Sequence, residues 1–74
     1  MKRINLNENI LSLVTTYPEI KDIMFELGFK DIVKPQMLKS VGRFMTIKQG
    51  CKLKRLNLDD IIIIFENNGF EVTV

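Results

Sequence analysis

Asn57-Leu58-Asp59-Asp60-Ile61-Ile62-Ile63-Ile64-Phe65-Glu66-Asn67-Asn68-Gly69 can be read in two ways, and the choice decides the fold class. The β-branched run Ile61 to Ile64, followed by Phe65, suits a buried strand. Its flanks suit a helix. Asn57 is a good N-cap, Asp59 and Asp60 fall in a first turn where the helix dipole is positive, and Asn68-Gly69 forms a stop. Leu58, Ile61, Ile62 and Phe65 lie at i, i+3, i+4 and i+7, one stripe of a helix. Caps at both ends and this spacing decide for helix. Phe70, Val72 and Val74 then alternate with Glu71 and Thr73, an extended pattern that can pair with Ile4 to Leu6 as a small ribbon.

Toward the N-terminus, Thr46-Ile47-Lys48-Gln49 has the form of a capping box and predicts a helix from Ile47 to about Arg55. Gln36 to Val41 predicts a short helix with Met37, Leu38 and Val41 inward and Gly42 ending it. Phe29 to Val33 is apolar and is cut off by Pro35, which suits a buried connector. Before it, Pro18 fits a first helical position and Ile20, Ile23, Met24 and Leu27 share one face, with Gly28 as the stop. The first helix is expected over Asn7 to Tyr17, capped by Asn7 and carrying Ile10, Leu13, Val14 and Tyr17 on one stripe. Pro18 disfavours helical geometry at Tyr17 and ends it. The chain therefore reads as all-α: a single domain over residues 1–74, a compact bundle of about five short helices. A minor two-stranded ribbon of the N- and C-terminal segments is the optional addition.

Composition removes several functions. A chain of 74 residues buries only about 60% of its unfolded surface, so most of its apolar side chains are committed to one core. The longest apolar run, Ile61 to Phe65, is far short of the roughly 20 residues of a membrane span. Met1-Lys2-Arg3 leads into Asn5, Asn7 and Glu8 with no apolar region between, so no export signal is expected. The single cysteine, Cys51, cannot form an internal disulfide, which suits a cytoplasmic setting. Histidine is absent, and with it the commonest general acid–base, metal ligand and nucleophile partner. No catalytic residue, metal site or cofactor is expected, and the chain reads as a non-enzyme.

Charge is the informative functional feature. Residues 1–29 carry net −1, residues 30–55 net +7 and residues 56–74 net −4. The middle segment holds Lys30, Lys34, Lys39, Arg43, Lys48, Lys52, Lys54 and Arg55 against Asp31 alone. Such a stretch can face phosphates or an acidic partner. Aromatic interleaving is thin, with only Phe44 among the central cations. The plainer account, which is preferred, makes these lysines solvated helix faces offset by the acidic last helix. Arg43 precedes a helix start at Thr46-Ile47, with Lys39 and Lys48 near, and Gly42 would let a ligand approach the backbone; free N–H groups there could hold an anion. Again the simpler account is preferred: Gly42 is a helix stop, Arg43 pairs with an acid, and no Gly-rich phosphate motif is present.

Cys51 follows Ile47 by one turn and is expected on a buried face as a small hydrophobe. Met24, Met37 and Met45 with Phe25, Phe29 and Phe44 are expected mainly in the core, with a small apolar pocket as the other account. Phe25 lies off the stripe of its helix and would, if exposed, mark a contact surface.

Tyr17-Pro18-Glu19-Ile20, Phe25-Glu26-Leu27-Gly28-Phe29, Pro35-Gln36-Met37, Ser40-Val41-Gly42-Arg43, Met45-Thr46-Ile47 and Leu58-Asp59-Asp60-Ile61 together resemble a small bacterial domain-of-unknown-function family. That family is related to the N-terminal domain of iron–sulfur-cluster-repair proteins. The resemblance spans nearly the whole chain and implies a bundle of about five short helices. Its members stand alone or ahead of hemerythrin-like or sensory domains, which implies an accessory or regulatory role. Many carry a cysteine pair just after the Leu-Gly element; here Phe29 to Pro35 contains none, so the chain belongs with a branch lacking that pair and no redox or metal role carries over.

The leading expectation is a non-enzymatic accessory or regulatory interaction module docking on a protein partner through the basic 30–55 region. The alternative is nucleic-acid or anion binding through Lys34, Lys39, Arg43, Lys48 and Lys52, the candidate contact residues. No membrane partner is expected. A homodimer is conceivable through an unpaired Phe70-to-Val74 edge.

Overall fold

The computed structural model describes residues 2–73. In chain order it contains β1 (Lys2–Asn5), α1 (Ile10–Thr16), α2 (Ile20–Glu26), α3 (Pro35–Ser40), α4 (Ile47–Leu53), α5 (Leu58–Asn67) and β2 (Phe70–Thr73). The decisive stretch is helical. Asn57 Oδ1 accepts from the Asp59 backbone N–H at 2.9 Å, and Ile61 and Phe65, one turn apart, are buried while Ile63 is 52% exposed. A strand would place all three on one face.

The chain is not wholly helical. β1 and β2 form a two-stranded parallel ribbon with Lys2 opposite Phe70 and Ile4 opposite Val72. All-α is therefore too narrow. Alternating apolar residues at both ends find each other because the helices between them act as one long crossover, the connection a parallel pair requires. The paired residues start earlier than Ile4 to Leu6, although Leu6 still donates to the Thr73 carbonyl at 3.0 Å; Val74 lies outside the described residues. Arg3 pairs with Glu71 at 3.2 Å across the ribbon, and Lys2 with Glu19 at 2.6 Å ties it to the entry of α2. The Lys2 hydrogen bond holds the Glu19 carboxyl below its ordinary range. Phe70 stands edge-to-face between Tyr17, at 5.4 Å between centroids, and Phe65, at 5.9 Å.

Several helix ends move by a residue or two, each for a local reason. Asn9, not Asn7, caps α1 and accepts from Ser12 N–H at 2.7 Å. Asn7 is used instead in a turn, where its N–H donates to Asn5 Oδ1 at 2.8 Å. Pro18 and Glu19 form a turn before α2, with Ile20 N–H donating to Tyr17 and Lys21 N–H to Pro18. Pro35 is the first residue of α3, the position where its missing N–H costs nothing. α4 stops before Arg55, which adopts a left-handed φ of 56°. Leu56 N–H reaches the Cys51 carbonyl at 2.9 Å and Arg55 N–H that of Lys52 at 3.4 Å, the bonding of a Schellman stop usually built on glycine. Gly28 closes α2 by the same bonds, at φ 103°. Ile4, Leu6, Ile10, Ile20, Met24 and Ile47 are all essentially inaccessible, so the ribbon, α1, α2 and α4 share one core with Phe65 of α5.

Candidate functional site

Residues 41–45 turn the chain from α3 into α4, and α1 holds the turn at both ends. Leu11 N–H donates to the Gly42 carbonyl at 3.0 Å and Ile10 N–H to that of Met45 at 2.9 Å. α3 and α4 thus flank an open apolar depression of about 170 Å³, lined by Ile32, Met37, Val41, Met45 and Leu53 over a floor of Phe29. The floor needs a glycine. A Cβ at Gly50 would stand 2.7 Å from Phe29 Cε1, so α4 can lie this close only without a side chain there. Shallower, more open hollows continue the surface past Met45 and Gln49 toward Phe44 on one side and Lys52 on the other. Phe44 and Leu53, the most exposed large hydrophobic residues, are 77% and 72% accessible and border this area. Met37 is also exposed.

Of the methionines and phenylalanines expected in the core, Met24 and Phe29 are there, Met45 is half-buried, and Met37, Phe44 and Phe25 face out. Leu53 carried a usable signal. It stands two residues beyond buried Cys51, about 200° around the helix, so periodicity alone puts it on the outer side.

The five candidate cations do not converge. Lys34 precedes α3 and pairs with Asp31 at 3.5 Å. Lys39 is exposed in the last turn of α3. Arg43 lies 5.7 Å over the Phe44 ring and borders a separate hollow with Ser12, Thr15 and Thr16 of α1. Lys48 and Lys52, one turn apart on α4, line a third hollow with Cys51, Leu56 and Leu58. Lys54 sits 5.8 Å from the Phe29 ring centroid at the rim of the apolar depression.

Among the described residues Lys34 alone of the eight cations in 30–55 is ion-paired, and no acid of α5 pairs with any of them. Arg43 thus has no acid, and the basic stretch is not neutralised through direct ion pairs with the last helix. Two of the donors at the start of α4 are taken by its own capping box. Thr46 Oγ1 accepts from Gln49 N–H at 3.2 Å, and Gln49 Oε1 accepts from Thr46 N–H at 3.1 Å.

Residues 4–62 match the model of a domain of unknown function, DUF1858. The chain belongs to that family. The match runs from β1 into α5, so this DUF1858 domain brings its α3–α4 face with it and the β2 strand lies beyond. A crystal structure of a conserved domain protein from Streptococcus pneumoniae TIGR4 is similar at 37% identity, with a TM-score of 0.93 over 99% of this chain and 92% of that one. No curated protein matches.

Cys51 of this DUF1858 chain is buried on α4, as its spacing from Ile47 predicts. Burial pushes its thiol pKa up. Native protein at pH 8 is expected to react with a disulfide reagent at least about a hundredfold more slowly than the urea-unfolded chain, since the thiolate is the reactive form. Equal rates followed by absorbance would show that Cys51 is open to solvent. The same shift makes the thiol's contribution to stability complete below the unfolded chain's thiol pKa, and it is lost as pH rises from there through the folded value.

Proposed function

We propose that the chain is a non-enzymatic accessory or regulatory interaction module that docks on a protein partner through the α3–α4 face. The observation that carries this is the apolar depression between the two helices, bordered by Phe44 and Leu53. Large apolar side chains gathered around a concave surface, with cations beside them, are the usual make-up of a protein contact. The resemblance to the N-terminal domain of iron–sulfur-cluster-repair proteins supports an accessory role, and the single thiol favours a reducing compartment such as the cytoplasm. Residues 29–35 supply Phe29, Ile32 and Val33 to the core and hold no cysteine, so any shared role would be docking rather than thiol chemistry.

A photo-crosslinking amino acid at position 53, introduced in the native host cell, is expected to give adducts of discrete mass, while the same group at exposed Glu26 on α2 gives none. Equal yields from both positions, or none from position 53, would count against the docking face.

A second reading, nucleic-acid binding, is favoured by one pair: Arg43 over exposed Phe44, the kind of cation and ring that single strands stack on. It requires affinity for a short oligonucleotide that falls steeply with salt. The separation of Lys34, Arg43 and Lys48 into different surroundings weighs against it.

A further inference from the structure

The chemistry around the α3–α4 depression narrows what kind of segment it takes, a step that rests on the docking reading above. We infer that it binds an acidic amphipathic helix, whose apolar stripe enters the depression and whose carboxylates meet the cations around it. Three observations lead there. The first is backbone chemistry. α3 and α4 direct their backbone hydrogen bonds along their own axes, so this face has no strand edge for an extended peptide to join, whereas a helix arrives with most of its own backbone satisfied.

The second is shape and pliability. α3 has six residues and α4 seven, each about 10 Å long, which matches two turns of a docked helix and side chains at i, i+3 or i+4, and i+7. Met37 and Met45 line the depression, and methionine repacks readily around aliphatic groups of different shape.

The third is charge. Lys54 lines the depression and Lys52 its continuation past Leu53, and neither has an acidic partner among the described residues. Asp31 is the one acid at the rim, and Lys34 already pairs with it at 3.5 Å. With Asp31 paired to Lys34, the unpaired Lys54 and Lys52 leave this rim positive, so a basic helix would be repelled and an acidic one drawn in. Exposed aromatic faces for a nucleic acid are few here: Phe29 is buried, and Phe44 alone is exposed beside the depression.

The test is a titration of the ¹⁵N-labelled full chain with two synthetic helical peptides. Both carry leucine at i, i+3, i+4 and i+7; one has glutamate and the other lysine at the remaining positions. The glutamate peptide is expected to shift the amides of Met37, Val41, Met45 and Leu53, to bind about tenfold or more tighter than the lysine peptide, and to weaken as salt rises. Leu53→Ala, an exposed change that leaves the fold intact, is expected to weaken it about tenfold. Equal binding of both peptides would overturn the acidic occupant and leave the docking face standing. Binding of neither, with crosslinked adducts still formed at position 53, would do the same. Binding of neither together with loss of those adducts overturns the docking reading itself. Shifts of these amides by a single-stranded oligonucleotide alone would overturn both in favour of nucleic acid.

Discussion

Phe65→Ala is expected to lower the free energy of unfolding by about 3–5 kcal/mol, while Ile63→Ala on the same helix changes it by less than about 0.5 kcal/mol. A chain of 74 residues has roughly 4–11 kcal/mol in all, so the first variant loses from about a quarter of its stability to all of it. Phe65 is wholly inaccessible, and its ring meets Phe70 of β2 edge-to-face at 5.9 Å and an 83° angle. Truncation removes the ring's burial and opens a cavity between α5 and the ribbon. It also ends a ring contact that is continued by Phe70 against Tyr17. Urea unfolding followed by far-ultraviolet circular dichroism reads both variants. The comparison is sharper than either value, because residues 63 and 65 lie on one face of a strand and on opposed sides of a helix. Equal losses would return the Ile61-to-Phe65 run to a strand.

That contrast also shows why the helices were legible in sequence. For α5 the caps Asn57 and Gly69 outweighed the strand propensity of four consecutive isoleucines, and for α4 the Thr46–Gln49 capping box marked the start to the residue. Both are local chemistry, written within four positions of the helix end. The end of α4 was expected at about Arg55 and falls at Leu53, but the left-handed form of the stop was not visible, since such a residue is announced by glycine and here is arginine. Asn7 and Asn9 are equally good caps by composition; the choice fell to Asn9, which also pairs with Thr46 from across the fold. The parallel register of the ribbon depends on where five helices bring the two ends, and no local pattern carries that.

The candidate site was legible only in part. A net charge of +7 over residues 30–55 can be counted, and Phe44 stands out among those cations. Which cations share a surface depends on the angle between α3 and α4, and that angle is set by a turn whose key residue, Gly42, looked like a simple helix stop. The depression itself is made by apolar residues from three separate stretches, around Phe29, Met37 and Leu53, and nothing in their spacing along the chain puts them side by side.

Gly42→Ala should therefore disturb both stability and the docking face. A Cβ on Gly42 would overlap the backbone carbonyl oxygen of Leu38 and lie 3.1 Å from its Cα. A side chain could swing aside; a carbonyl in the last turn of α3 cannot, because Gly42 itself donates to Met37 at 3.0 Å and accepts from Leu11 at 3.0 Å. Relief requires α3 to shift relative to α1, at an expected cost of about 1–3 kcal/mol, the range for forced overpacking. Ala at Gly50 meets the edge of the Phe29 ring instead and recovers about 1 kcal/mol of helix propensity, so it should be milder. At a temperature where Gly42→Ala is still folded, the amides of Met37 and Val41 should move while those of the ribbon stay in place, and the glutamate peptide should bind at least about tenfold more weakly. Unchanged melting and unchanged Met37 and Val41 signals would mean that the turn is looser than its close approach to Leu38 implies. The glycine then matters for the reason its own chain supplies: α3 can reach its place beside α4 only where the turn has no side chain.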